Sequence, residues 1–424
     1  MNKWLKYIVL SIFLITLLIV LNRPIEYFPD SEGYLQFNII RSACYPLFLA
    51  FIKGVFGAHF EFALICCQIV FGLLSIYFMI HTLNRLLNIN FWWLVLLTII
   101  LLIPYFYNHH VANRILSEGL AYPLYLLVVT HFSIALITYN KKNLIYVLLF
   151  LLFLIQTRWQ FMFFIPIGLL ILTWISYRTK MFKASIWLFA LFLIYPLIMS
   201  TLDKSFHKIA HGYYLNTPWR GVLTITPAIY VADKLDYKIF EDENEKAFFK
   251  IVFDKLQQRK LTIHQLDSTT QDEYYYYFVN FNNIAIETVL DEGKLFVSKQ
   301  LSENEKYIAV NRLTKKMTYP LIFDNFIAWS KLYIQNFIHA FGNSRYCLLY
   351  FMLLFFGLYG LLKYETPSFK LVALLSLLTI ANNAVVAIGV HTIKRLTFYN
   401  DWVLFIILFV LLNALFKLSK AHAN

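Results

Sequence analysis

Long apolar runs alternate with short polar segments along the sequence, and this alternation limits the folds that the chain can adopt. A helix needs roughly 20 apolar residues to cross about 30 Å of hydrocarbon. The candidate spans are Lys6–Leu21, Glu61–Thr82, Phe91–Tyr107, Glu118–Thr138, Leu144–Gln156, Phe161–Ser176, Ser185–Leu202, Tyr346–Leu362, Leu371–Val390 and Trp402–Phe416. Only 14% of the residues are charged, whereas about a quarter are charged in a soluble domain. We therefore predict an all-α polytopic membrane protein with about ten transmembrane helices.

A long polar segment divides the predicted membrane region into two parts. Residues 203–345 hold 18 of the 37 Lys and Arg residues and 17 of the 24 Asp and Glu residues, as a solvated loop or small domain would. We predict an N-terminal transmembrane region at 1–202, a large extracytoplasmic loop or domain at 203–345 and a C-terminal transmembrane region at 346–424. Residues 23–60 have helical periodicity but are too short to span twice, which predicts interfacial helices in a first outer loop.

Basic residues are unequally shared between the two sets of short loops. The segments on the N-terminal side hold twelve Lys and Arg residues, and the short segments on the other side hold seven. The positive-inside rule then predicts a plasma (bacterial inner) membrane protein with both termini in the cytoplasm. The net charge of +13 lies in short clusters between apolar runs, a distribution that favours membrane lipids over nucleic acid as partners.

Carboxylates outside the long polar segment collect on the predicted outer face. Six of these seven residues fall there, and only Glu365 is inside. Charges at a membrane are costly and are usually retained for pairing, substrate pathways or chemistry. Asp30 and Glu32 directly follow the first span. A carboxylate at this point can act as a general base, or it can cap a helix in a solvated turn.

A second outer segment carries candidate binding residues. Arg114 and Glu118 are four residues apart, which predicts an ion pair on one helical face. The pair can be structural, or Glu118 can orient an acceptor while Arg114 contacts a phosphate. His109 and His110 are adjacent and lack a spaced third ligand. We therefore predict phosphate or hydroxyl contacts for them and no tight metal site, although a loosely bound divalent cation at the acids stays open.

Three more basic residues lie at the predicted outer face. Arg158 is in the turn between two spans, and Lys394 and Arg395 precede the last span. Single residues of this kind usually extend to lipid headgroups. Several arginines that converge with the acids would instead form a site for an anionic headgroup, because the guanidinium fork matches phosphate oxygens.

Three short motifs follow one another along the chain. They are PDSEGY at Pro29–Tyr34, RILSEGL at Arg114–Leu120 and IKRLTFY at Ile393–Tyr399. In content and order they resemble the multi-spanning glycosyltransferases of the GT-C fold, which include the protein O-mannosyltransferases and the bacterial aminoarabinose transferases of lipid A. The sequence departs from the family pattern where Ser31 separates the two acids and where Leu396 follows the basic pair.

The resemblance implies an inverting glycosyltransferase that acts at the extracytoplasmic face without a cofactor. Its donor would be a polyprenyl-phosphate sugar, and its acceptor a glycan, a lipid or a protein. The implied catalytic residues are Asp30 as the base, Glu32 as its partner or substitute, and Glu118 in support. The implied substrate-binding residues are Tyr34, His109, His110, Arg114, Arg158, Lys394 and Arg395.

Two other functions compete with this interpretation. A transporter or flippase for a lipid-linked glycan places polar residues near the bilayer midplane, but the predicted midplanes are nearly free of charge. The polar exceptions are His131, Asn382 and Asn383. An O-antigen-type polymerase also uses outer loops, and such proteins rely on Arg and His more than on an acid in the first loop. The pattern favours an enzyme at the membrane face.

Overall fold

The computed structural model describes residues 3–266 and 272–423, with side chains described as far as residue 417. Within this part of the chain the protein is all-helical and no β-strand forms, which confirms the predicted α class. The helices are α1 Lys3–Leu21, α2 Pro29–Leu35, α3 Cys44–Phe56, α4 Phe60–Leu87, α5 Phe91–Phe106, α6 Glu118–Thr138, α7 Lys142–Thr157, α8 Phe164–Thr179, α9 Ile186–His211, α10 Arg220–Val231, α11 Glu243–Gln258, α12 Glu273–Ile284, α13 Asp291–Phe296, α14 Glu303–Asp324, α15 Phe326–Ala340, α16 Ser344–Lys363, α17 Pro367–Gly389, α18 Lys394–Thr397 and α19 Val403–Ala423.

Eight stretches in the described residues are long and apolar enough to cross a membrane. They are Lys3–Leu21, Cys44–Leu87, Glu118–Thr138, Trp159–Thr179, Lys183–His211, Ser344–Lys363, Pro367–Gly389 and Lys394–Lys417. Two of the ten predicted spans form the shorter helices α5 and α7, of 16 residues each. At 1.5 Å per residue each is about 24 Å long, less than the hydrocarbon thickness. The count of ten therefore stays a prediction.

The predicted first outer loop contains two helices, α2 and α3. A single 3₁₀ turn at Gly57–His59 joins α3 to α4, so that Cys44–Leu87 forms one long apolar stretch. The position of α2 and α3 at a membrane interface stays a prediction.

The chain folds into two compact units. The first unit comprises Met1–Asp203, Leu348–Asn382 and Phe398–Asn424, and the second comprises Lys204–Cys347 and Asn383–Thr397. The second unit thus includes a segment from the region that the sequence assigned to the C-terminal transmembrane part.

The second unit has its own apolar core. On α11, the residues Phe248, Phe249, Val252, Phe253 and Leu256 recur at helical spacing and are all buried. This periodicity defines one apolar face that packs against the rest of the unit. Residues 274–277 are four consecutive tyrosines in α12. Tyr274 and Tyr277 are buried in the same core, so two of the four contribute to packing.

Apolar side chains also point outward from the first unit. Leu14 and Leu18 on α1 and Leu193 and Leu197 on α9 are each more than half exposed. Contiguous apolar surface of this extent is rare on soluble monomers. Together with the eight apolar stretches, it defines the protein as an α-helical integral membrane protein, with lipid as part of its solvent.

Contacts between helix ends sort the loops of the first unit into two groups. At one end, Asn113 Nδ2 donates to the carbonyl of Val20, 3.0 Å away, near the end of α1. We call this the first-loop end; α1 ends here, and α4, α6 and α8 begin here. At the other end, Lys417 Nζ donates to the carbonyl of Leu87 at 2.9 Å. We call this the basic end; α4, α6 and α8 end here. Asp30, Glu32 and Glu118 lie at the first-loop end.

Close packing of α16 against α17 gives a test of this arrangement. A Cβ atom on Gly357 would lie 2.5 Å from the backbone nitrogen of Ala373, whereas one on Gly54 would meet nothing within 4 Å. We expect Gly357→Ala to destabilise the protein by about 1–3 kcal/mol, because the helix backbones must separate. Gly54→Ala should be neutral or slightly stabilising, since alanine favours helix. Thermal unfolding of both variants in detergent measures the difference; equal stability would contradict the packing.

Candidate active site

A short backbone pairing joins the first loop to the segment before α6. The amide of Glu26 donates to the carbonyl of Asn113 at 2.6 Å, and the amide of Ile115 donates to the carbonyl of Glu26 at 3.2 Å. Glu26 and Arg114 therefore form an isolated parallel β-bridge. Neither segment belongs to a helix at this point. The backbone groups of both segments therefore need hydrogen-bond partners elsewhere. The bridge brings two of the predicted motifs together.

Helix α2 is fixed to the same segment by Ser31. The Ser31 hydroxyl accepts a hydrogen bond from the Phe28 amide at 2.8 Å and donates to the Ile115 carbonyl at 2.9 Å. Pro29 occupies the first turn of the helix, where its fixed φ and missing N–H are tolerated. The buried serine between the two acids thus anchors α2. It also places Asp30 and Glu32 on different sides of the helix, because residues two apart do not face each other.

Asp30 forms an ion pair with Arg41, a residue for which the sequence predicts no role. Arg41 Nη2 lies 2.7 Å from Asp30 Oδ1, and the Asp30 side chain is 35% exposed. The Arg41 guanidinium also lies over the ring of Tyr34, 4.5 Å from its centroid. A Cβ atom on Gly33 would approach Arg41 Nε to 2.9 Å, so glycine leaves room for this arginine. Glu32 is exposed and accepts a hydrogen bond from Gln36 at 2.8 Å.

Polar contacts continue from Tyr34 to a buried ion pair. The Tyr34 hydroxyl donates to Ser117 Oγ at 3.2 Å, and Arg158 Nε donates to the same oxygen at 3.0 Å. Arg158 Nη2 donates to Glu118 Oε1 at 3.1 Å, and Nη1 donates to the Tyr399 hydroxyl at 3.1 Å. The side chains of Arg158 and Glu118 are only 10% and 5% exposed. The three nitrogens of Arg158 therefore join its own turn to the start of α6, through Ser117 and Glu118, and to Tyr399.

The predicted ion pair between Arg114 and Glu118 is wrong. It required one helix through both residues, but α6 begins at Glu118 and Arg114 lies in the preceding turn. Arg114 Nε instead contacts Glu26 Oε2 at 2.7 Å, while Glu118 pairs with Arg158. Glu26, for which the sequence predicts no role, also lies 3.1 Å from His110 Nδ1. Burial raises the pKa of Glu26, but the hydrogen bonds from Arg114 and His110 outweigh it and leave the pKa below its ordinary value.

The two adjacent histidines point in different directions. His110 contacts Glu26, whereas His109 stacks on Phe398 with ring centroids 4.4 Å apart. Among the described residues, no group of three or more His, Cys, Asp or Glu side chains is arranged to hold a metal ion. A loosely bound cation at the acids stays a prediction.

Lys394 and Arg395 lie on the short helix α18, in the second unit. Asp30, Tyr34, Arg114, Glu118 and Arg158 belong to the first unit. The structure thus brings together the first two sequence motifs, Arg158 and Tyr399, the last residue of the third motif. A role for Lys394 and Arg395 at the same site stays a prediction.

Compared with models of known protein families, with curated proteins and with solved structures, the chain matches none. The fold and the cluster themselves define the class: an α-helical integral membrane protein with ion-paired Arg and carboxylate residues at one end of its first unit.

Loss of Arg158 should destabilise the protein through Glu118. In Arg158→Met the nearly buried carboxylate of Glu118 loses its guanidinium, and breaking such a pair costs about 3–5 kcal/mol. The double variant Arg158→Met/Glu118→Gln should recover part of this loss, because it also removes the charge. Thermal unfolding of the two variants and of Glu118→Gln alone completes the cycle. A loss below about 1 kcal/mol in Arg158→Met, the range of an exposed pair, would contradict the buried pair.

The lowered pKa of Glu26 predicts a pH-dependent contribution to stability. Its ion pair stabilises the fold fully above the ordinary carboxyl pKa of about 4.3, and this contribution is lost as the pH falls through the lower folded-state value. Wild type should therefore unfold at a higher temperature than Glu26→Gln at about pH 6, and the two should converge at an acid pH below the folded-state pKa of Glu26. Glu32→Gln is the matched control, with a small difference at both pH values. A gap that persists in acid would exclude the ion pair as its cause.

Proposed function

We propose that this protein is a membrane glycosyltransferase that transfers a sugar from a polyprenyl-phosphate donor to an acceptor by inverting displacement. The observation that carries the proposal is the placement of Asp30. It is a partly exposed carboxylate, oriented by Arg41, in a polar cluster that includes a second arginine suited to a phosphate. Such a donor already carries an activated leaving group, so the protein needs to supply only a base and stabilisation of the departing phosphate.

Asp30 is the proposed general base. Its side chain is 35% exposed, whereas that of Glu118 is 5% exposed and paired with Arg158. A base must come within hydrogen-bond reach of the proton that it removes, which favours Asp30. The Arg41 guanidinium, 2.7 Å from Asp30 Oδ1, fixes the direction of the Asp30 carboxylate. The acceptor oxygen would lose its proton to Asp30 as it attacks the anomeric carbon and the phosphate leaves.

Arg114 is the proposed phosphate ligand. Only its Nε atom is used by Glu26, and in the described part of the chain its two terminal nitrogens make no hydrogen bond. The guanidinium is held over the Phe28 ring, 4.7 Å from the centroid, and so has a fixed direction. A preorganised donor pair of this kind stabilises charge that develops on the leaving oxygen. His110, which shares Glu26 with Arg114, is placed to assist.

Arg158 and Glu118 have a positioning role in this proposal. Their side chains are nearly buried, and Arg158 already donates to Ser117, Glu118 and Tyr399. They hold the start of α6 and, through Ser117, the Tyr34 hydroxyl. We further propose that the first-loop end faces the extracytoplasmic side, as the positive-inside rule implies for the opposite, basic end. Both termini would then be cytoplasmic.

Substitutions of Asp30 test the proposed base. Purified protein would be incubated with polyprenyl-phosphate-linked hexose or aminopentose, and release of polyprenyl phosphate would be measured, because water can replace an unidentified acceptor slowly. Asp30→Asn keeps the shape of the side chain and should lower kcat by about 10²–10⁴-fold. Glu32→Gln tests the predicted partner or substitute of the base; Glu32 is exposed on a different side of α2 and bonded to Gln36, so this variant should keep most of the activity. Full activity in Asp30→Asn would exclude this residue as the base.

Substitution of Arg114 separates binding from proton transfer. Arg114→Gln should raise KM for the donor and lower kcat, because its phosphate contact strengthens as the leaving group gains charge. The pH dependence of kcat should be unchanged in this variant, since Asp30 is intact.

Movement of the lipid-linked sugar across liposomes without covalent transfer would instead favour the transporter interpretation.

A further inference from the structure

A separate cavity lies at the basic end of the first unit, away from Asp30 and Arg114. It has a volume of about 470 Å³ and is lined by five polar residues together with Phe78 and Ile134. The polar residues are Arg85, His131, Thr138, Asn140 and Asn143. They come from α4, α6, the loop that follows α6 and the start of α7, and none of the lining residues is acidic. A mixed polar and apolar lining with few oriented groups is typical of a ligand site.

Hydrogen-bond donors without partners make the rim of this cavity suited to an anion. Within the described residues, the Arg85 side chain takes part in no ion pair or hydrogen bond, although the arginines of the candidate active site are all paired. The Asn140 side-chain oxygen accepts from the Lys142 amide at 3.0 Å, which leaves its amino group for another acceptor. A guanidinium and an amide donor beside each other match the oxygens of a phosphate.

His131 supplies a second polar group deeper in the cavity. Its Nδ1 lies 3.0 Å from Asn143 Oδ1. Because that oxygen only accepts, Nδ1 carries the proton and Nε2 presents a lone pair. The side chain is 9% exposed, and in the described residues Nε2 has no hydrogen-bond partner. His131 lies seven residues before the end of α6, about 10 Å into the helix. A ligand hydroxyl is the group that would satisfy Nε2.

The surface beside the cavity is apolar. The His131 ring lies against Tyr146 of α7, with centroids 5.1 Å apart. On the neighbouring face of the same helix, Ile145, Leu149 and Phe153 are four residues apart and 43%, 50% and 44% exposed. Side chains at this spacing form a continuous stripe along a helix. An acyl chain could lie on this stripe while a polar headgroup occupies the cavity.

We infer that this cavity binds the headgroup of an anionic phospholipid that carries free hydroxyl groups. The phosphate contacts Arg85 and Asn140, a headgroup hydroxyl donates to His131 Nε2, and an acyl chain lies along α7. The site is distinct from the proposed catalytic cluster and does not depend on the proposed function.

Native mass spectrometry of the delipidated, full-length protein in a neutral detergent tests the inference. Titration should give the tightest binding for phosphatidylglycerol, weaker binding for phosphatidic acid, which lacks the hydroxyls, and the weakest for phosphatidylcholine. Arg85→Gln should weaken phosphatidylglycerol binding by about tenfold or more, the loss of a charged hydrogen bond. Arg85→Lys should retain part of the affinity, since it keeps the charge without the fork.

Two further variants locate the ligand within the cavity. His131→Phe should remove the preference for phosphatidylglycerol over phosphatidic acid, while both lipids still bind. Lys180→Gln, an exposed basic residue at the same end but outside this cavity, is the matched control and should change the affinity by less than about twofold. Thermal unfolding of each variant without lipid reports whether the fold is intact.

Three results would overturn the inference. The first is unchanged phosphatidylglycerol binding in Arg85→Gln. The second is equal affinity for phosphatidylglycerol and phosphatidylcholine. The third is binding of soluble glycerol 3-phosphate as tightly as the lipid, because it would assign the cavity to a free phosphate ester instead of a membrane lipid.

Discussion

The backbone bridge between Glu26 and Arg114 is the contact on which the candidate active site depends. It holds the chain after α1 against the turn before α6, and the side chains of the same two residues form an ion pair. One residue further on, the Ile115 carbonyl accepts the hydrogen bond from Ser31 that fixes α2. Without this pairing, neither Asp30 nor Tyr34 would have a defined position relative to Ser117 and Arg158, although these residues are far apart in sequence.

Sequence patterns that extend over many residues predicted the architecture well. The apolar runs correctly indicated an all-helical membrane protein, because burying a backbone in lipid requires its hydrogen bonds to close within helices. The predicted ion pair between Arg114 and Glu118 does not form. Residues four apart face each other only inside a helix, and α6 begins at Glu118. The true partner, Arg158, is 40 residues further along the chain. No local pattern specifies that distance.

Loop geometry accounts for the other residues that the sequence did not reveal. Arg41 reaches Asp30 because the ten residues between them turn back on themselves, and Gly33 leaves the necessary space. In the sequence, Ser31 separates two acids and has no evident role. In the structure its hydroxyl bonds to the Phe28 amide and the Ile115 carbonyl, and so anchors the helix that carries Asp30. A glycine and a small hydroxyl residue between charges are compatible with many loop structures, so their roles followed only from three-dimensional contacts.

The arginines at the two ends of the first unit differ in their charge environment, and this difference fits two kinds of phosphate binding. Arg114 already neighbours the Glu26 carboxylate, which repels an incoming phosphate. At 4 Å such an interaction is about 4 kcal/mol near a protein surface. A moderated affinity suits the proposed catalytic site, which would have to release polyprenyl phosphate after each turnover. Arg85 has no carboxylate among the residues that line its cavity, so it would retain an anionic lipid for longer. Under the two proposals, an arginine side chain would serve turnover where it is paired with a carboxylate and stable binding where it is not.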